Sequence, residues 1–197
     1  MSRFPIHTLD SAPEASKPLL HALKQNVGMV PNLAAGMAES PSLLEGFLSI
    51  RDTYQNGTLS GAEIEVLSLT SAFENGCVWC MAFHSLMARK KGVSAEVVDA
   101  LRAGRSPDDA RFGPLSDFAR AMVRGRGAVG EAERTRFHDA GYTPAQALEV
   151  VLGMAFSLMA NYSGHLVNAP LNPPLEAHAW HRATSQGAHS EPALAAR

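Results

Sequence analysis

Apolar residues recur along this chain at spacings of three and four rather than in strict alternation, which predicts helices and no convincing strand. Leu19, Leu20, Leu23 and Val27 stripe a first helix over about residues 16–27, with Ser16 as its cap, Pro18 in its first turn and Gly28 at its end. A short helix is expected after Pro31. Ser40-Pro41 opens another, carrying Leu43, Leu44, Phe47, Leu48 and Ile50 to the Asn56-Gly57 break. Ser60 and Glu63 have capping-box spacing, so a helix over about 61–74 is expected, closed at Asn75-Gly76. The next begins near Cys77 and ends where Arg89, Lys90 and Lys91 answer the negative end of the dipole and Gly92 turns the chain.

Ser94 caps a further short helix to about Ala103, and a polar loop follows from Gly104 to Gly113. Leu115, Phe118, Ala119, Met122 and Val123 mark a buried helical face within 114–124. Residues 125–130 read as a linker before a helix to His138. Thr143-Pro144-Ala145-Gln146 is a second capping box. It opens the longest apolar stretch, Leu148 to Met159, which is hydrophobic nearly all round and expected at the centre of the core. Beyond Pro173-Pro174 a small helix around Trp180 leads to a tail, residues 185–197, expected to be disordered.

The chain has 197 residues, 46% of them hydrophobic and 18% charged, enough for one well-buried domain, taken as residues 1–184. A net charge of -2 and a pI near 6.4 give no reason to expect nucleic acid or an acidic membrane surface. No run reaches the roughly 18 apolar residues of a membrane span. The opening Met1-Ser2-Arg3-Phe4-Pro5 leads into Asp10 and Glu14 rather than into a signal-peptide core. A reducing cytoplasm is the expected setting, and there a close cysteine pair is catalytic or metal-binding rather than a structural staple.

That pair is Cys77-Val78-Trp79-Cys80, the only two cysteines in the sequence, with His84 four residues on. At roughly 100° per residue, the two thiols and the imidazole share one helix face. Both cysteines fall in the first turn, where unpaired N–H groups and the positive dipole end favour thiolate over thiol. Zinc is the rival reading, with three potential ligands in the two cysteines and His84, but no second C-x-x-C or H-x3-H completes a structural site. A shift of 84 residues also lays Glu65-Val66 on Glu149-Val150, Cys77 on Asn161, Cys80 on Gly164 and His84 on Asn168, a weak internal echo.

The stretch Glu65-Val66-Leu67-Ser68-Leu69-Thr70-Ser71-Ala72-Phe73-Glu74-Asn75-Gly76-Cys77-Val78-Trp79-Cys80-Met81-Ala82-Phe83-His84 resembles the signature of the alkylhydroperoxidase D-like, or carboxymuconolactone decarboxylase, superfamily. The matching features are a glutamate twelve residues before C-x-x-C and a histidine four after it. More loosely, the resemblance runs from Val30-Pro31-Asn32-Leu33 to about Pro174. It implies an all-α, AhpD-like helical bundle of two pseudo-repeated units, and a homo-oligomer. It also implies a thiol-dependent peroxidase in which Cys80 attacks the peroxide and Cys77 resolves the sulfenic acid. Glu65 and His84 would move the protons. Hydroperoxide and an external thiol reductant are the implied partners, and no cofactor is called for.

Where alkylhydroperoxidase D has a relay histidine inside the motif, this chain has Trp79. That departure leaves the full proton relay and a lipoylated protein reductant outside what the resemblance implies for this chain. The alternatives are a thiol-disulfide oxidoreductase or redox sensor acting on proteins, a carboxymuconolactone decarboxylase-like lyase, and a non-enzymatic scaffold. Ile64, Val66 and Leu67 flank Glu65, so its carboxylate is expected to be buried with a raised pKa. Glu74 is the competing carboxylate, read as a helper at the start of the cysteine helix. The echo would bring Asn161, Tyr162 and His165 near the site, and His178, His181 and His189 receive no role.

Overall fold

The computed structural model describes residues 4–182; the tail expected from Ser185 onward lies outside the described residues. A 3-10 turn at Glu14–Ser16 leads into α1 (Lys17–Val27), α2 (Asn32–Met37), α3 (Pro41–Gln55) and α4 (Gly61–Asn75). Then come α5 (Val78–Lys90), α6 (Ala95–Arg102), α7 (Phe112–Arg124), α8 (Glu131–Asp139), α9 (Pro144–Val167) and a final 3-10 turn at Pro173–His178. Among the described residues there is no strand, so the all-α expectation holds.

The sequence signals account for most boundaries. Ser40, Ser60, Ser94 and Thr143 each accept a backbone N–H at the third helical position, and the boxes of Ser60 with Glu63 and of Thr143 with Gln146 are complete. Ser16 is the exception. Its hydroxyl makes no cap and instead donates to the Ala38 carbonyl at 2.7 Å, because the preceding 3-10 turn carries the chain into α1 from a helical conformation. At the other corner Gly76 is left-handed, with φ 69, and ends α4 so abruptly that α5 starts two residues later.

The centre of the bundle is α4, not the apolar run of α9. Helix α4 packs against α5, α6, α7 and α9, and every residue from Glu63 to Ala72 is buried. Its hydroxyls disguise this in sequence, yet they cost little in the core because Ser68 and Thr70 return theirs to the carbonyls of Ile64 and Val66. Helix α9 buries only one side. Leu148, Val151, Tyr162 and Leu166 are 73%, 51%, 59% and 67% exposed and form a stripe along the other. By length and composition this helix could cross a membrane, but half of its apolar stretch is buried inside the fold. The internal echo meets one difference here: the corner at Gly76 has no counterpart, since residues 144–167 run unbroken.

Candidate active site

Cys77 occupies the N-cap of α5, where its Sγ accepts the Cys80 N–H at 3.3 Å. The two cysteines are joined as a disulfide with their Cα atoms 5.3 Å apart, so the structure holds the oxidised form of the pair. Neither sulfur lies open at the surface: Cys77 is 2% exposed and Cys80 1%. Access comes instead through a cavity of about 620 Å³ that Cys80 lines and Cys77 does not. Helix α9 closes the far side. A Cβ at Gly164 would stand 2.8 Å from the Cys77 sulfur, so only glycine lets α9 lie against the motif.

Glu65 and His84 come together. Helix α4 brings the carboxylate across from α5, and His84 Nδ1 lies 2.7 Å from Glu65 Oε2. Both residues line the Cys80 cavity. A third group, unforeseen in sequence, completes the pair: Lys91 Nζ lies 2.9 Å from Glu65 Oε1. Burial of the Glu65 carboxyl would push its pKa up, but attraction to and hydrogen bonds from His84 and Lys91 outweigh that and hold it below the usual carboxylate range. The expectation of a raised pKa is therefore corrected. Burial alone raises a carboxyl; the pairing with His84 and Lys91 reverses the sign.

The remaining candidates separate cleanly. Glu74 does not face the sulfurs: it takes Arg120 Nε at 3.1 Å and Arg124 Nε at 2.7 Å, tying α4 to α7. Asn161 Oδ1 accepts from Asn75 and Ser71, and the His165 Nε2–H donates to the Asn75 carbonyl at 2.6 Å, so both brace the corner before Cys77. Tyr162 is exposed on the outer side of α9. Glu149, the echo partner of Glu65, instead binds the Thr58 and Leu59 N–H groups. His178 turns its carbonyl to Arg102. Among the described residues no group of three or more His, Cys, Asp or Glu side chains is arranged to hold a metal ion.

The cavity walls are largely apolar, with Phe47, Phe83, Phe156 and Met87 around the chemistry. Trp79 stacks on Phe83 at 5.2 Å, and Phe83 meets His84 edge-on. Among the described residues, two buried side-chain polar atoms lack a hydrogen-bond partner, Trp79 Nε1 and the Tyr54 hydroxyl, and both residues line this cavity. An indole N–H can donate but cannot pass a proton on, so Trp79 is no substitute for a relay histidine.

Residues 41–113 match the carboxymuconolactone decarboxylase family, a span that contains the whole motif and Lys91. Comparison with curated proteins finds no match. Among solved structures, the fold is similar to an alkylhydroperoxidase AhpD core, an uncharacterized peroxidase-related protein from Ralstonia eutropha JMP134, with TM-score 0.79 and 22% identity over 88% of this chain and 94% of that one. A peroxidase-related protein from Silicibacter sp. TM1040 gives TM-score 0.73 and 21% identity over 88% and 92%. The debrominase Bmp8, as a cysteine-to-alanine variant in complex with 2,3,4-tribromopyrrole, gives 0.71 and 16% over 89% and 94%. At these identities the likeness establishes the fold.

Proposed function

We propose that this chain, whose residues 41–113 match the carboxymuconolactone decarboxylase family and whose fold is similar to an AhpD core, is a thiol-dependent peroxidase whose dithiol is Cys77 and Cys80. The observation that carries this reading is the placement of Cys80, rather than Cys77, on the wall of an apolar cavity shared with Glu65 and His84. In the reduced protein the Cys80 thiolate attacks the terminal oxygen of ROOH, and the O–O bond breaks. The alkoxide leaves with a proton as ROH, and Cys80 becomes a sulfenic acid. Cys77 then attacks the Cys80 sulfur, water departs, and the disulfide seen here results. Two electrons from an external thiol restore the pair.

His84, held through Nδ1 by Glu65, keeps Nε2 for the proton that moves between thiol and leaving oxygen. The electrons come from sulfur, so the cycle calls for no metal or flavin, and it suits a reducing compartment such as the cytoplasm. Burial of both sulfurs argues against folded proteins as the oxidised substrate, since a protein disulfide could not approach them. The test is direct: reduced protein given one equivalent of cumene hydroperoxide is expected to yield the alcohol with loss of both free thiols. Unchanged thiols after the peroxide is offered would sink the reading.

A homo-oligomer would be built on the exposed side of α9, where Leu148, Val151, Tyr162 and Leu166 leave an apolar stripe uncovered. Light scattering is expected to return a multiple of the 21.0 kDa chain mass. The double variant Leu148→Asp, Leu166→Asp is expected to return a single chain. A monomeric parent protein contradicts the assignment.

A further inference from the structure

In sequence Lys91 is one of three cations closing α5, and its backbone does end that helix, its N–H reaching the Met87 and Ala88 carbonyls. Its side chain does something else. The stem folds back across Gly61, where a Cβ would come within 3.0 Å of Lys91 Cδ, and delivers the ammonium to Glu65. The Glu65 carboxylate, with its side chain only 5% exposed, thus has one oxygen on Lys91 and the other on His84. Lys91 also lines the cavity that opens on Cys80.

A carboxylate held by one partner can rotate about its last bond, whereas one held at both oxygens presents a fixed edge. Its charge also serves two partners at once, so neither experiences all of it. We propose that Lys91 is a positioning residue for the thiol chemistry: it clamps Glu65 so that Oε2 meets His84 Nδ1, and it limits how strongly the carboxylate holds an extra proton on the imidazole. This deepens the peroxidase reading and rests on it for its kinetic consequence. The other ionisable groups on the cavity wall are few. From α3 come Tyr54 and the Arg51–Asp52 pair, joined at 2.7 Å, and from α5 comes Lys90; α9 contributes Phe156 and Ala160, which do not titrate.

The test compares Lys91→Met and Lys91→Arg with the parent protein, all reduced. With Lys91 gone, His84 is the only partner left on Glu65, so the undivided carboxylate favours a protonated imidazole more than in the parent protein. The acid limb of the kcat/KM profile for cumene hydroperoxide is expected to move to higher pH by about one pH unit, with roughly tenfold less activity on that limb. Lys91→Arg is expected to restore the parent profile, because a guanidinium can reach the same oxygen. Nitrogen chemical shifts of the His84 ring, followed against pH by NMR, are expected to show the same displacement and need no turnover. Superimposable profiles and ring titrations in Lys91→Met and parent overturn the proposal while leaving the peroxidase reading intact. A loss of stability with neither pH curve moved also overturns it, since that is what a purely structural lysine gives. If even the parent consumes no peroxide, the peroxidase reading falls and the ring titration alone decides the role of Lys91.

Discussion

Cys80→Ser is expected to bring hydroperoxide consumption down to the uncatalysed level, a loss of about a thousandfold or more, because a serine hydroxyl stays protonated where a thiol ionises. Cys77→Ser is expected to behave differently. It retains the cavity sulfur, so one equivalent of peroxide is reduced and the enzyme stops with one oxygen added at Cys80. Intact-mass and peptide mass spectrometry separate the two outcomes. Oxygen found on residue 77 in a Cys80→Ser protein, or undiminished turnover by that protein, reverses the assignment of the sulfurs. The asymmetry follows from the fold: one sulfur faces the cavity, and the other is covered by Gly164.

Glu65→Ala is expected to cost both stability and activity. It strips His84 and Lys91 of a buried shared partner, a type of change worth about 3 kcal/mol in folding free energy. The sign of its pH dependence follows from the lowered pKa of Glu65. A carboxyl that titrates lower when folded contributes stability above its unfolded value near 4.5, and that contribution fades as pH falls through the lower folded value. The parent protein is therefore expected to exceed Glu65→Ala in urea midpoint at neutral pH and to lose that advantage progressively as pH falls below 4.5 through the lower folded value. An advantage that grows on acidification contradicts the ionised, doubly paired carboxylate. Activity at neutral pH is expected to drop about a hundredfold as the imidazole loses its anchor.

The apparent inconsistency of α4 and α9 shows how far patterning reaches. Composition alone puts Leu148 to Met159 at the centre, because Glu149 is the one charged residue in that run. The bundle uses α4 there instead. Serine and threonine satisfy themselves on their own helix, and the two buried glutamates find partners on other elements, Glu63 on Arg111 and Glu65 on His84 and Lys91. A polar residue is acceptable in a core once its partners arrive, and the arrival of partners is a tertiary event.

By itself the amino-acid order determined what short-range physics governs. Helix starts at Ser40, Ser60, Ser94 and Thr143 are set by side chains three residues from the N–H they bind. The Asn75-Gly76 corner follows from a backbone that only glycine relaxes into readily, and the placing of Cys80 and His84 about one turn apart on α5 follows from helical spacing. The choice among interactions between residues far apart in the chain belonged to the tertiary structure. Packing of α9 on the motif covers Cys77 and leaves Cys80 to the cavity, and the pairing with His84 and with the returning Lys91 side chain turns Glu65 from a carboxyl expected to have a raised pKa into one held below the usual carboxylate range. Spacing can put groups on one side of a helix, but burial and opposing charge decide their protonation, and both depend on elements that the local sequence does not contain.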